Sequence, residues 1–238
     1  MSTVSVRARP RAVASSERPA AGARRHLAWL GGGLALAFLV PFVLADRLGL
    51  QQDVYYGVYA AVVGLLFLEW LRDTGLPERA TLSRRWPAGL VLGLAAGAVL
   101  AAVVLREPST ARPEGAELVL AVVWRGVVYG AADGLLLSVF PILVVFAAFR
   151  ARTWRAKAVA GAAALAASLA FTAVYHLGYA DFRSEKVAKP IGGDLVWSAP
   201  TLLTLSPVGA PVAHAAMHVT AVLHAYETDV FLPPHPAA

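Results

Sequence analysis

Six apolar stretches separated by short polar segments run along the chain, at about residues 27–46, 54–71, 88–105, 117–149, 157–179 and 196–225. Each can cross a bilayer, whose hydrocarbon core takes roughly 20 residues of α-helix. Apolar residues cluster in these runs instead of alternating with charge, which points to a lipid-embedded bundle and not to a water-covered core. The expected fold class is therefore all-α, a polytopic transmembrane helical bundle of about six spans. The fourth stretch is too long for one upright crossing, running about 50 Å at helical rise against a core of about 30 Å. Either it tilts and extends past the membrane, or Pro141 breaks it. Pro200, Pro207 and Pro211 predict an irregular or re-entrant start to the sixth, with a helix from about Val208. Such backbone survives at membrane depth only when packed in protein or lining a wet cavity.

The flanks divide the chain further. Residues 1–26 hold six arginines and two prolines and read as a disordered, basic cytoplasmic tail. Residues 27–226 form the membrane domain, and 227–238 a short cytoplasmic tail. "RRHLAWLGGGLALAFLV" has a twin-arginine look but no convincing small-x-small cleavage site, so the first helix is expected to stay uncleaved. With the N-terminus inside, the cytoplasmic segments carry 14 Lys and Arg and the outer loops 6, with Arg125 inside a span. That bias favours both termini in the cytoplasm.

Composition sharpens this picture. The chain is 58% hydrophobic and 15% charged, and it has no cysteine, so disulfides and thiolate metal sites are unavailable. The net charge of +6 lies between apolar runs, which suits membrane topology and not nucleic acid. The excess of arginine over lysine and the abundance of alanine resemble a GC-rich bacterial genome. The expected location is the bacterial inner (plasma) membrane, with membrane lipids as surroundings.

Ionisable groups inside spans are functional candidates by default, because burying them in hydrocarbon is costly. In "WRGVVYGAADG", Arg125, Tyr129 and Asp133 recur every four residues and form a polar column on one helix face. Gly126, Gly130 and Gly134 run beside them as a stripe that admits another helix closely. Arg125 and Asp133 are about 12 Å apart along the helix, too far for a direct pair. In "FTAVYHLGY", His176 follows Thr172 by one turn among tyrosines, where it serves either as a belt residue or as part of a site. In "AHAAMHVTAVLH", His214 and His218 at i and i+4 share a face, the spacing by which one helix offers two imidazoles to zinc. His224 lies further along and reads as interfacial. Glu69 and Arg72 have the spacing of a structural i,i+3 ion pair.

Depth allows these groups to meet. Arg125 enters from outside by about 12 Å and Asp133 by about 24 Å, while His214 and His218 lie about 9 and 15 Å down their own helix. They converge in the outer half of the bilayer, capped by the loop "GGDLVWSAPTLLTLSPVGAP".

The order of motifs resembles the CPBP family of intramembrane proteases, which includes the CAAX-prenyl endopeptidases. That family carries a Glu-Glu-xxx-Arg helix, a Phe-xxx-His helix and a His-xxx-Asn/Asp helix. Here "WRG" at 124–126 matches the arginine end of the first, Phe171 and His176 the second, and "HAAMH" at 214–218 the third. Leu120 and Ala121 stand at the two glutamate positions, Phe171 and His176 are five apart instead of four, and His218 replaces Asn/Asp. The resemblance thus implies a divergent member, with Asp133 as the carboxylate able to substitute. A looser likeness is to the alkaline ceramidase and adiponectin-receptor hydrolases, through Thr172-xxx-His176, Asp133 and His214-xxx-His218.

The function expected from these residues is hydrolysis inside the bilayer of a membrane peptide or lipid. His176, His214 and His218 would bind zinc or orient water. Asp133 would act as base, Arg125 would stabilise an oxyanion or hold an anionic head group, and Tyr129 completes the column. Two alternatives remain open at this level. One is an acid–base enzyme of cyclase or isomerase type on a lipid or isoprenoid, and the other a non-catalytic scaffold or channel.

Overall fold

The computed structural model describes residues 21–228 and 230–233. It is all-helical, with no strand among the described residues. Helix α1 (Ala23–Val40) runs on through a π-helical segment to Arg47, followed by α2 (Gln52–Thr74), a short α3 (Glu78–Leu82) and α4 (Trp86–Val104). A long α5 spans Gly115–Phe149, then α6 (Trp154–Leu177), α7 (Ala188–Trp197), α8 (Ala199–Thr204) and α9 (Gly209–His224). Five of these, α1, α2, α4, α5 and α6, are long and apolar enough to cross a membrane.

Pro141 does not break the fourth stretch. Proline has no N–H for the carbonyl four residues back, Leu137, and its ring crowds that turn. The chain absorbs both problems locally. A π-helical segment, Gly134–Val139, widens the turn before the proline, and the Ser168 hydroxyl of α6 donates to the Leu137 carbonyl at 2.8 Å. A buried carbonyl left unsatisfied would cost about 1–3 kcal/mol. A second π-helical segment, Val122–Tyr129, lies one turn before Asp133.

Two glycine stripes hold α9 in place. A Cβ on Gly126, Gly130 or Gly134 of α5 would sit 2.6–3.1 Å from a backbone Cα at Val219, Ala215 or Pro211 respectively. On α4, Gly89 abuts Ser206 and Gly209, Gly93 abuts Gly209 and Val212, and Gly97 abuts Ala213 and Ala216. The α5 stripe is the one expected from sequence, and α9 is the helix it admits.

These contacts also fix directions. Rising residue numbers on α4 meet rising numbers on α9, so the two helices are parallel, whereas α5 and α9 are antiparallel. The carboxyl end of α9 therefore lies beside the segment after α4. Thr110 N–H donates to the His224 carbonyl at 3.0 Å, and Arg112 donates to the Leu223 carbonyl at 2.8 Å. The following segment stays there: Tyr56 OH donates to the carbonyls of Leu232 and Pro233, both at 3.0 Å. We call this the outer end, after the expected orientation. At the other end Ala21 is bonded to the Thr74 carbonyl and receives Arg150.

The described ends of the chain thus lie at opposite ends of the bundle, contrary to the expectation of both on one side. The sixth stretch is the cause. It contains a descent through α7 and α8, a reversal at Leu205 (φ 55°) and Ser206, and an ascent in α9. The three prolines that read as irregularity within one span lie in and around the turn between two oppositely directed helical segments. The expected helix start near Val208 falls at Gly209. Most of the expected basic tail lies outside the described residues, but its last part, Ala23–His26, already belongs to α1. The described part of the expected C-terminal tail is packed, with Phe231 and Leu232 buried.

A topology experiment follows from the helix directions. Reporters fused after residue 80 and at the C-terminus should report opposite sides of the membrane. Reporters on the same side would contradict the parallel pairing of α4 and α9.

Candidate functional site

Asp133 sits on α5 between the two π-helical segments, on the face the glycine stripe presents to α9. From α9, His218 brings Nε2 to 3.4 Å from Asp133 Oδ2. His214 follows one turn away, and one ligand atom from each of Asp133, His214 and His218 lies within 4.8 Å of the others. All three are buried, at 4%, 1% and 2% exposure. The 3.4 Å contact lacks hydrogen-bond geometry, and all four ring nitrogens of His214 and His218 are without a hydrogen-bond partner. Buried polar atoms are normally satisfied, and here four ring nitrogens lack a partner while one from each histidine lies near the Asp133 carboxylate, a group that could bind a metal ion.

Tyr59 of α2 completes the carboxylate's surroundings, its hydroxyl donating to Oδ1 at 2.7 Å. Beside it stand Tyr55, Tyr56, Tyr129, Tyr175 and Tyr179, so six of the chain's seven tyrosines are buried here. Hydroxyl contacts run from Tyr55 to Tyr179 (2.6 Å), Tyr175 (2.7 Å) and Tyr129 (2.8 Å). Four of the hydroxyls partner one another in the row Tyr55, Tyr179, Tyr175 and Tyr129, while Tyr59 bonds to Asp133 and Tyr56 to backbone carbonyls, which lets so much polarity pack into an apolar bundle.

His176, near the outer end of α6, reaches the same cavity from the other side. Its Nδ1 lies 2.7 Å from the Thr172 carbonyl. A carbonyl only accepts, so Nδ1 carries the proton and Nε2 keeps a free lone pair. His176 is outside the tight group formed by the other three. The cavity, of about 430 Å³, has Asp133 and the three histidines at its floor and apolar walls from α4, α7 and α9. The expected capping loop is largely α7 and α8, and α7 forms one wall.

Arg125 does not join this cavity. Its guanidinium makes a bidentate pair with Asp53 at 2.8 and 2.9 Å, and lies over the Tyr226 ring at the outer end. The expected oxyanion or head-group role gives way to an ion pair joining α5 to α2. Tyr129 touches the site through its ring, edge-on to His218 at 5.0 Å, while its hydroxyl is committed to Tyr175. His224 lies away from the cavity floor, with Nε2 2.9 Å from the Glu107 carbonyl at the end opposite to the cytoplasmic one expected. Glu69 and Arg72 pair at 2.8 Å on the surface.

Three residues escaped the sequence reading: Tyr59, Asp53 and Asp194. Tyr59 belongs to the "YYGVY" run, whose three tyrosines in one span were the available signal. Asp53 lies in the first turn of α2 and looked like loop polarity. Asp194 of α7 is fully buried, with the hydroxyls of Ser168 and Ser138 at 3.0 and 3.3 Å from Oδ1. It anchors α7 to α5 and α6, behind Trp197, whose ring lies 4.4 Å from that of His214.

The donor set could hold a metal ion, and the one contact resolved between its members has the spacing of zinc ligands. Tetrahedral zinc with bonds of about 2.0–2.1 Å places neighbouring ligand atoms about 3.3–3.5 Å apart, the spacing seen between Asp133 and His218. Two imidazoles and one carboxylate leave a fourth position open, as catalytic zinc sites do.

Tyr59 should matter through Asp133. Tyr59→Phe removes the hydrogen bond to Oδ1 and should weaken zinc affinity about 10–100-fold, the usual effect of losing such a partner. Competition titration against a zinc chelator measures it, and an unchanged affinity would show that the hydroxyl does not orient the carboxylate.

Comparison with family models, with curated proteins and with solved structures gave no match.

Proposed function

We propose that this membrane-embedded chain is a metal-dependent hydrolase, with Asp133, His214 and His218 holding zinc and His176 acting as general base. The observation that carries the reading is the buried Asp133, His214 and His218 group on two glycine-clamped helices. Bound zinc supplies Lewis-acid activation of water and of the substrate carbonyl. His214 and His218 present ring nitrogens free of other hydrogen bonds, and Tyr59 keeps one carboxylate oxygen occupied so that the other faces them. The free Nε2 of His176 accepts a proton from water. The water oxygen then bonds to the acyl carbon, the acyl–oxygen or acyl–nitrogen bond breaks, and His176 returns the proton to the leaving alcohol or amine.

The resemblance to the CPBP proteases supports the same class through the order of its histidine motifs, with Asp133 replacing the missing glutamates. Placing the chain in a bacterial inner membrane with its N-terminus in the cytoplasm rests on the arginine distribution. The Asp133–His218 contact favours one second reading, metal-free acid–base chemistry on a lipid or isoprenoid.

A chelation experiment separates the two. Purified protein in detergent should cleave a long-chain fluorogenic ester, lose activity on zinc removal, and regain it on zinc addition. Turnover that survives complete zinc removal would favour the metal-free reading.

A further inference from the structure

The residues lining the cavity differ sharply in exposure, and that contrast shows where it opens. Its floor, at Asp133, His176, His214 and His218, is buried. On its sides, Val99 and Val103 of α4 are 54% and 48% exposed, and Gly192 of α7 is exposed. The mouth therefore lies on the flank of the bundle, between α4 and α7, where a membrane presents acyl chains. The end-on route is covered, because Phe231 and Pro233 of the packed C-terminal segment close over the cavity. Only the upper rim of the mouth is charged, with Glu107 and Lys189.

Depth fits the same opening. The Glu107 carbonyl meets His224, so His218 and His214, six and ten residues earlier on α9, lie about 9 and 15 Å below the rim. The polar interfacial layer of a bilayer is about 5–7 Å thick on each side. With the rim at head-group level, the reactive floor sits just inside the hydrocarbon, where the linkage between a lipid's head and its tail resides.

We infer that the substrate is a membrane lipid entering sideways between α4 and α7, with its anionic head group at Lys189, its ester or amide linkage at the Asp133–His214–His218 floor and its chain along Val99 and Val103. This rests on the hydrolase reading of the same floor, and it adds the substrate class, the leaflet and the entry route. The leaflet is the outer one, since the rim lies at the end with the fewer arginines and lysines. The apolar walls suit the chain, and the few polar groups at floor and rim fix its register.

The test uses the full chain reconstituted in phospholipid vesicles doped with a phospholipid bearing a diazirine high in its acyl chain. After irradiation, mass spectrometry should find the label concentrated on residues 99–103 and 192–196. Val103→Trp and Gly192→Trp, which fill the mouth, should each lower that labelling about tenfold. No atom lies within 4 Å of a Cβ at Gly192, so that variant keeps the fold, and zinc content in both variants should equal that of the parent. Label spread evenly over all lipid-facing helices and unmoved by either substitution would overturn the inference. So would displacement of the label by an apolar transmembrane peptide but not by unlabelled phospholipid, which would point to a peptide substrate. Focused labelling in protein that binds no zinc would uphold the lipid route while removing the metal reading.

Discussion

Zinc content should fall to background in His218→Leu and in His214→Leu, while His224→Leu should keep the parent level. On the proposed reading the first two substitutions would each remove one of three ligands from a single ion, and a site reduced to two ligands would lose its grip. Expression and detergent stability should change little, since leucine is welcome in that apolar setting and none of the four lost ring nitrogens makes a hydrogen bond. His218→Asn sharpens the comparison. An amide can keep a hydrogen bond to a neighbour but is a poor zinc ligand, so it should fail as completely as leucine. His224 bonds to the Glu107 carbonyl away from the cavity floor, and its replacement tests surface packing only. Equal zinc content in all these variants would mean that the pair is structural.

Gly134→Val should produce the largest loss of stability in the chain. A Cβ there would lie 2.6 Å from both the nitrogen and the Cα of Pro211. These are backbone atoms that cannot rotate away, so α9 must shift or part from α5. Overpacking in a core costs typically 1–3 kcal/mol, and with backbone as the obstacle the expectation is about 3 kcal/mol or more. Zinc should be lost in the same variant, because Asp133 and the histidines sit on the two helices being pushed apart. Thermal unfolding in detergent, read with zinc content, checks both effects. Wild-type stability in Gly134→Val would contradict the close helix approach on which the site depends. Gly161→Ala, where nothing lies within 4 Å, serves as the tolerant control.

Much of the architecture was legible because it rests on local periodicity. The i,i+4 columns of Asp133 and of His214 and His218, with the glycine stripe, predicted which helix faces meet and what they carry. The direction of α9 was not legible. Residues 225–238 contain no Lys or Arg, so the charge rule has nothing to read there, and reading the sixth stretch as one span hid the reversal at Leu205 and Ser206 that turns α9 around. His214 and His218 therefore approach Asp133 from the opposite direction to the expected one, although the partners are as expected. Pro141 looked like a breaker because its remedy, the Ser168 hydroxyl, comes from another helix. Arg125 looked functional for the same reason: its partner, Asp53, lies 72 residues away in sequence. Partners distant in the chain leave no trace in spacing.

Whether Asp133, His214 and His218 together hold one metal ion can be read from anomalous diffraction at the zinc edge, using crystals of the zinc-loaded protein. A single anomalous peak should lie about 2.0–2.2 Å from a carboxylate oxygen of Asp133 and from one nitrogen each of His214 and His218. A peak elsewhere, or no peak between α5 and α9 after zinc loading, would contradict the metal reading.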